Sequence, residues 1–172
     1  MLKAMKVISP VEFNLSPRSD QILHIARGAW ERHHGGQITP EHIAEGFAEV
    51  RTGVHFDIWS RTGFDIAAFQ KANREWMRAY GQKSPPTKID DLYSAAVIEM
   101  LAEIKEGSAR MKHNFLSVHH LFIALLGADT PATNLMDTMG FDRQQARIET
   151  LHELNPYFDF RFWPKKQRGW LW

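Results

Sequence analysis

Glu41 stands two residues after Thr39 in ITPEHIAEGF, and Ser16 precedes it by 25 positions. A carboxylate in the first turn of a helix is favoured there by the positive end of the macrodipole, by roughly 0.3–1 kcal/mol. The same spacing separates Ser94 from His119 in the later stretch LSVHHLFIALL, with an imidazole where the carboxylate was. The chain has nine histidines, among them the pairs His33-His34 and His119-His120. Neighbours at i and i+1 on a helix point to different faces, so neither pair is a ready two-ligand metal site. There is no HExxH, no GxSxG, no Gly-Lys dipeptide on which a phosphate-binding loop could be built, and no cysteine. The expectation is a non-catalytic chain without metal or cofactor, whose histidines lie on the surface or cap helices.

The elements that must position these residues read almost entirely as helix. Ser16-Pro17 and Thr39-Pro40 are start signals, a hydroxyl followed by a proline whose missing N–H costs nothing in the first turn. Ile22, Ala26, Ala29 and Trp30 repeat at helical spacing, as do Ile43, Phe47 and Val50. Gly35-Gly36 should stop the first helix. A shorter helix is expected over about 54–62, ended by Gly63, and Asp65 can cap a fourth that carries Ile66, Phe69, Trp76 and Tyr80. GQKSPPTK, residues 81–88, is a connector that no helix could cross. Beyond it Val97, Leu101 and Ile104 mark a long helix, and Ser117 caps the most regular apolar stripe, Val118 to Leu126. A short helix over Ala132 to Met139 follows, and Gly140 with Asp142 introduces the last.

Ser16 and Ser94 are 78 positions apart, as are Glu41 and His119, and Gly63-Phe64-Asp65 returns as Gly140-Phe141-Asp142. A four-helix unit is therefore duplicated at a period of about 77–78 residues, each half covering the other's apolar face. The expected architecture is all-α, about eight helices in one compact bundle. Repeat one covers about 14–80, a linker 81–88 and repeat two about 89–154, with an aromatic tail over 155–172.

These two units resemble the Clp N-terminal repeat, the double four-helix domain that precedes the AAA+ motor of Clp-type unfoldases. The family pattern runs like GHNxIGTEHLLLALL and later LGVD. Here the second unit reads KHNFLSVHHLFIALL and MGFD, and the first GGQITPEHIAEGF and TGFD. The resemblance covers about residues 14–154. It implies a stand-alone recognition domain without the ATPase, engaging a Clp ATPase, an adaptor or a protein client. In a subset of the family the glutamate at this position and the hydroxyl residue that opens the unit help bind phosphorylated arginine. A carboxylate can take a guanidinium with two charge-assisted hydrogen bonds, and helix-end N–H groups can take the phosphate. By that carry-over Ser16 and Glu41 hold the positions in the first unit and Ser94 and His119 in the second. There the imidazole cannot make the two-pronged contact.

The tail NPYFDFRFWPKKQRGWLW carries seven aromatic rings in eighteen positions and a net charge of +3. Phe158, Phe160 and Phe162 alternate as in a half-buried strand. The rings could dock on the helical core. Trp163, Trp170 and Trp172 could equally anchor a partner, and this keeps a self-assembling structural protein open as an alternative. With a whole-chain charge of only +1, no global field would draw in nucleic acid, and single-strand stacking on the tail is the weakest reading. At 172 residues, 44% hydrophobic and 24% charged, the composition is that of a globular protein. The longest clean apolar run falls far short of the roughly 20 residues that span a bilayer. With no signal-like segment and no cysteine, the expected location is the cytoplasm.

Overall fold

Local capping chemistry marks where most of the helices begin. In the computed structural model, which describes residues 14–33, 36–81 and 92–157, eight helices succeed one another. They are α1 (Pro17–His33), α2 (Pro40–Glu49), α3 (Val54–Thr62), α4 (Ile66–Tyr80), α5 (Ala95–Arg110), α6 (Val118–Gly127), α7 (Pro131–Thr138) and α8 (Arg143–Leu154). Asp65 accepts the Ala68 N–H at 2.9 Å and Asp142 that of Gln145 at 2.9 Å. Each satisfies a donor that the helix leaves orphaned in its first turn. Gly63 and Gly140, at φ 69° and 80°, sit in the left-handed turn that each Gly-Phe-Asp sequence makes. Most of the connector and the tail beyond Tyr157, with Trp163, Trp170 and Trp172, lie outside the described residues.

The duplication appears as two central helices. In α2 every residue from Pro40 to Ala48 is buried, and in α6 every residue but His119. A helix buried all round must be enclosed by its neighbours. Here α2 packs on α1 and α4, while α6, 78 residues later, packs on α5 and α8. The α1–α2 approach is close because Gly46 has no side chain. A Cβ there would lie 2.5 Å from the Ile22 carbonyl oxygen. Aromatic rings from both halves meet between the central helices: Phe47 and Phe122 at 5.2 Å between centroids, Trp59 and Phe122 at 5.6 Å, Phe64 and Phe141 at 5.0 Å. No strand occurs among the described residues; two isolated parallel bridges do, Leu15 with Leu116 and Ile38 with Tyr93.

Two expectations from the sequence need correction. The buried stripe of α4 is Ile66, Phe69, Gln70, Asn73 and Met77, not the one ending in Trp76 and Tyr80. Gln70 donates to Glu45 and Glu49, and Asn73 to the Glu41 carbonyl. Polar side chains with partners can occupy an inward face, and Trp76 and Tyr80, about 100° round the helix, are left at its edge. The short third helix of the second half starts one residue earlier, at Pro131, behind Thr130 as N-cap.

Candidate functional site

The two helix entrances singled out in the sequence are each joined to the opposite half. The Ser16 N–H donates to the Leu116 carbonyl at 3.0 Å, the Leu116 N–H to that of Asn14 at 2.7 Å, and the Ser19 hydroxyl also reaches Leu116 O at 2.9 Å. Equivalently, the Ile38 N–H donates to Leu92 O at 2.7 Å and the Ser94 N–H to Ile38 O at 3.0 Å. Leu92, Ser94 and Leu116 lie 78 positions after Asn14, Ser16 and Ile38, so the two seams are one arrangement made twice. The structure therefore seats Ser16 at the α6 entrance, where His119 is, and Ser94 at the α2 entrance, where Glu41 is. The within-unit pairing suggested by the spacing of 25 is not the one joined by hydrogen bonds.

Glu41 is 3% exposed, and its Oε1 accepts the Ala132 N–H at 3.4 Å in the first turn of α7. This carboxylate is turned into the molecule, against another helix's positive end. His119 is partly buried. Its Nε2 lies 3.8 Å from Glu153 Oε2, and burial holds its pKa below the ordinary value despite that carboxylate.

The histidines next in sequence do the capping. His42 Nδ1 accepts the Thr39 N–H at 3.0 Å, and His120 Nδ1 accepts that of Ser117 at 3.1 Å. Each is a capping box with an imidazole in place of the usual Glu or Gln. An Nδ1 that accepts from an N–H is unprotonated, so each neutral ring carries its proton on Nε2. For His120 that proton points at His113 Nδ1, 3.1 Å away. Burial lowers both pKa values to about 4. His55 is likewise held at about 4 by burial, with Nε2 donating to Val50 O at 2.8 Å. These three rings are interior groups, not surface ones.

A groove that sequence reasoning missed runs between α1 and α4. Ile25, Arg32 and His33 of α1, Glu49 of α2, and Arg74 and Arg78 of α4 border an open trough of about 860 Å³. Beside it is a narrower niche of about 150 Å³, bordered by His33, Thr39, Trp76, Met77, Tyr80 and Ser94, among others. Arg74 is pinned: its Nε lies 2.6 Å from Glu45 and its terminal nitrogen 2.5 Å from Glu49. The only hint in the sequence is Arg74 and Arg78 at i and i+4. Their neighbours Arg32 and His33 are some 40 positions away and join them only through folding.

A family model described as the Clp repeat (R) N-terminal domain matches residues 14–139. No curated protein matches the sequence. Among solved structures, the Hsp104 N-terminal domain from Candida albicans is similar at 15% identity and a TM-score of 0.69, over 83% of this chain and 92% of that one. The N-terminal domain of the caseinolytic protease associated chaperone ClpD from Arabidopsis thaliana is similar at 16% and 0.63, over 82% and 94%. A ClpV N-domain solved in complex with a VipB peptide is similar at 16% and 0.59, over 78% and 82%. At these identities the likeness is one of fold.

Proposed function

The chain belongs to the Clp N-terminal domain family, whose model covers residues 14–139, and from that premise we propose that it is a non-catalytic module that binds polypeptide. Its ligands are protein substrates, degrons or adaptors of a Clp-type chaperone–protease system. The observation that carries this reading is the trough between α1 and α4, about 860 Å³ and open to solvent. Its borders are mostly charged, and the exposed ring of Tyr80 stands in the niche beside it; an open trough of this kind suits a chain segment better than a small enclosed ligand. That a ClpV N-domain has been solved with a VipB peptide supports a peptide as the ligand class for this fold.

The test is capture from the native lysate with the purified protein, alongside a variant lacking residues 155–172, read by mass spectrometry. Recovery of a Clp ATPase, its peptidase or its adaptors by both proteins places the contact on the helical body. Recovery lost with the truncation moves it to the tail. Failure of the full chain to enrich any of them would overturn the reading.

A further inference from the structure

The trough between α1 and α4 has a chemistry that narrows what can lie in it. Glu45, 1% exposed, and Glu49 are both engaged by Arg74 and by the Gln70 amide. Glu45 is buried and Glu49 lies at the surface, and together they hold the Arg74 guanidinium in one position with their own charge matched by it. Arg32 and Arg78, at the trough's edges, are exposed and have no ion-pair partner among the described residues. Two unpaired guanidiniums facing one groove repel each other and are matched by incoming carboxylates, each in two-pronged geometry.

The adjoining niche is apolar where the trough is charged. Met77 closes it at 3% exposure, and the rings of Trp76 and Tyr80, one helical turn apart, stand 5.7 Å between centroids, with Tyr80 72% exposed. Its volume of about 150 Å³ equals that of an engineered cavity large enough for a benzene ring. One bulky side chain fits in that volume. His33 borders both the trough and the niche, so a single short segment can use them together.

We propose that this composite groove recognises a short acidic peptide segment that sets carboxylates against Arg32 and Arg78 and places one bulky apolar side chain beside Trp76 and Tyr80. The proposal rests on the peptide-binding reading above and gives it a location and a ligand class. Nucleic acid fits less well. Glu49 lies in the trough wall and the chain's formal charge is only +1.

The experiment uses the full chain and a fluorescein-labelled heptapeptide, one phenylalanine between two runs of three aspartates, read by anisotropy. Binding is expected to weaken as salt rises from about 50 to about 300 mM, as a solvent-exposed charge contact must. Replacing the aspartates by asparagines, or making Arg32→Glu together with Arg78→Glu, should each weaken binding at least ~tenfold, as loss of charge-assisted contacts requires. Trp76→Ala should remove the preference for phenylalanine over serine at the centre while leaving the salt dependence. Both arginines are exposed, so helical circular dichroism should be unchanged in the double variant.

Equal affinity for the asparagine peptide, no change on charge reversal, or no detectable binding would overturn the proposal. So would a labelled single-stranded oligonucleotide that binds in place of the peptide and is lost with the same variant. If charge reversal leaves peptide binding unchanged while the variant still captures Clp components from lysate, the acidic groove fails and the polypeptide-binding reading stands.

Discussion

At the residue scale, the buried imidazoles make the fold sensitive to acid. His42, His55 and His120 titrate near 6.5 when unfolded but at about 4 in the fold, because burial disfavours the charged ring. Between those values the unfolded chain binds more protons, so their contribution is complete above 6.5 and is lost as pH falls towards about 4. Each contributes up to about 3 kcal/mol over that window. Protonation also removes the Nδ1 acceptor from two capping boxes. Urea midpoints should therefore drop between pH 7.5 and pH 5. The double variant His42→Gln with His120→Gln should flatten that slope, since glutamine at this position can still reach the N-cap but does not titrate.

Glu41 is open to an equally direct measurement. Its carboxylate faces the first turn of α7, so Glu41→Ala should cost about 1–2 kcal/mol in chemical unfolding, with Glu41→Gln recovering part of it. A role in taking a marked arginine would require that carboxylate to leave Ala132. Unchanged binding of a phosphoarginine peptide by Glu41→Ala would exclude the role at this entrance.

At the element scale, the two Gly-Phe-Asp turns should behave as independent copies. Asp65 and Asp142 each cap one helix through one backbone N–H at 2.9 Å, and both are exposed. Either aspartate replaced by alanine should cost about 1 kcal/mol, and the double variant about twice that, because sites with no shared partner add. Gly46 is different. Its substitution by alanine pushes α2 against the α1 backbone at Ile22, and a loss of about 1–3 kcal/mol by thermal unfolding is expected.

At the scale of the whole molecule, the two halves share one aromatic core and should not unfold separately. Trp59, fully buried, contacts Phe64 and Phe69 from its own half and Phe122 and Phe141 from the other. Trp59→Ala should cost about 3–5 kcal/mol while leaving a single transition that coincides by fluorescence and circular dichroism. A two-step curve would show that each four-helix half is stable alone. Arg147 and Glu103, both buried and 3.4 Å apart, tie α8 to α5 inside the second half. They do not bridge the two halves.

The sequence by itself determined the helices, several of their caps and their duplication. Those features rest on interactions within four residues: a hydroxyl or aspartate at Ser94, Asp65 or Asp142, a glycine at positive φ, an apolar stripe at helical spacing. Local chemistry of this kind repeats wherever the local sequence repeats, and the period of about 78 was legible for that reason. The family resemblance followed from the same motifs. What only the tertiary structure decided was which entrance meets which. Ser19 and Leu116 are 97 positions apart and Ala132 and Glu41 are 91 apart; nothing at the residues themselves distinguishes a crossed seam from a direct one. The inward turn of Glu41 and the edge position of Trp76 and Tyr80 belong to the same class, as does the convergence of Arg32 and Arg78 on one groove. Each depends on how the packed helices are rotated about their axes, and a rotation of one residue, about 100°, separates a core position from a binding surface.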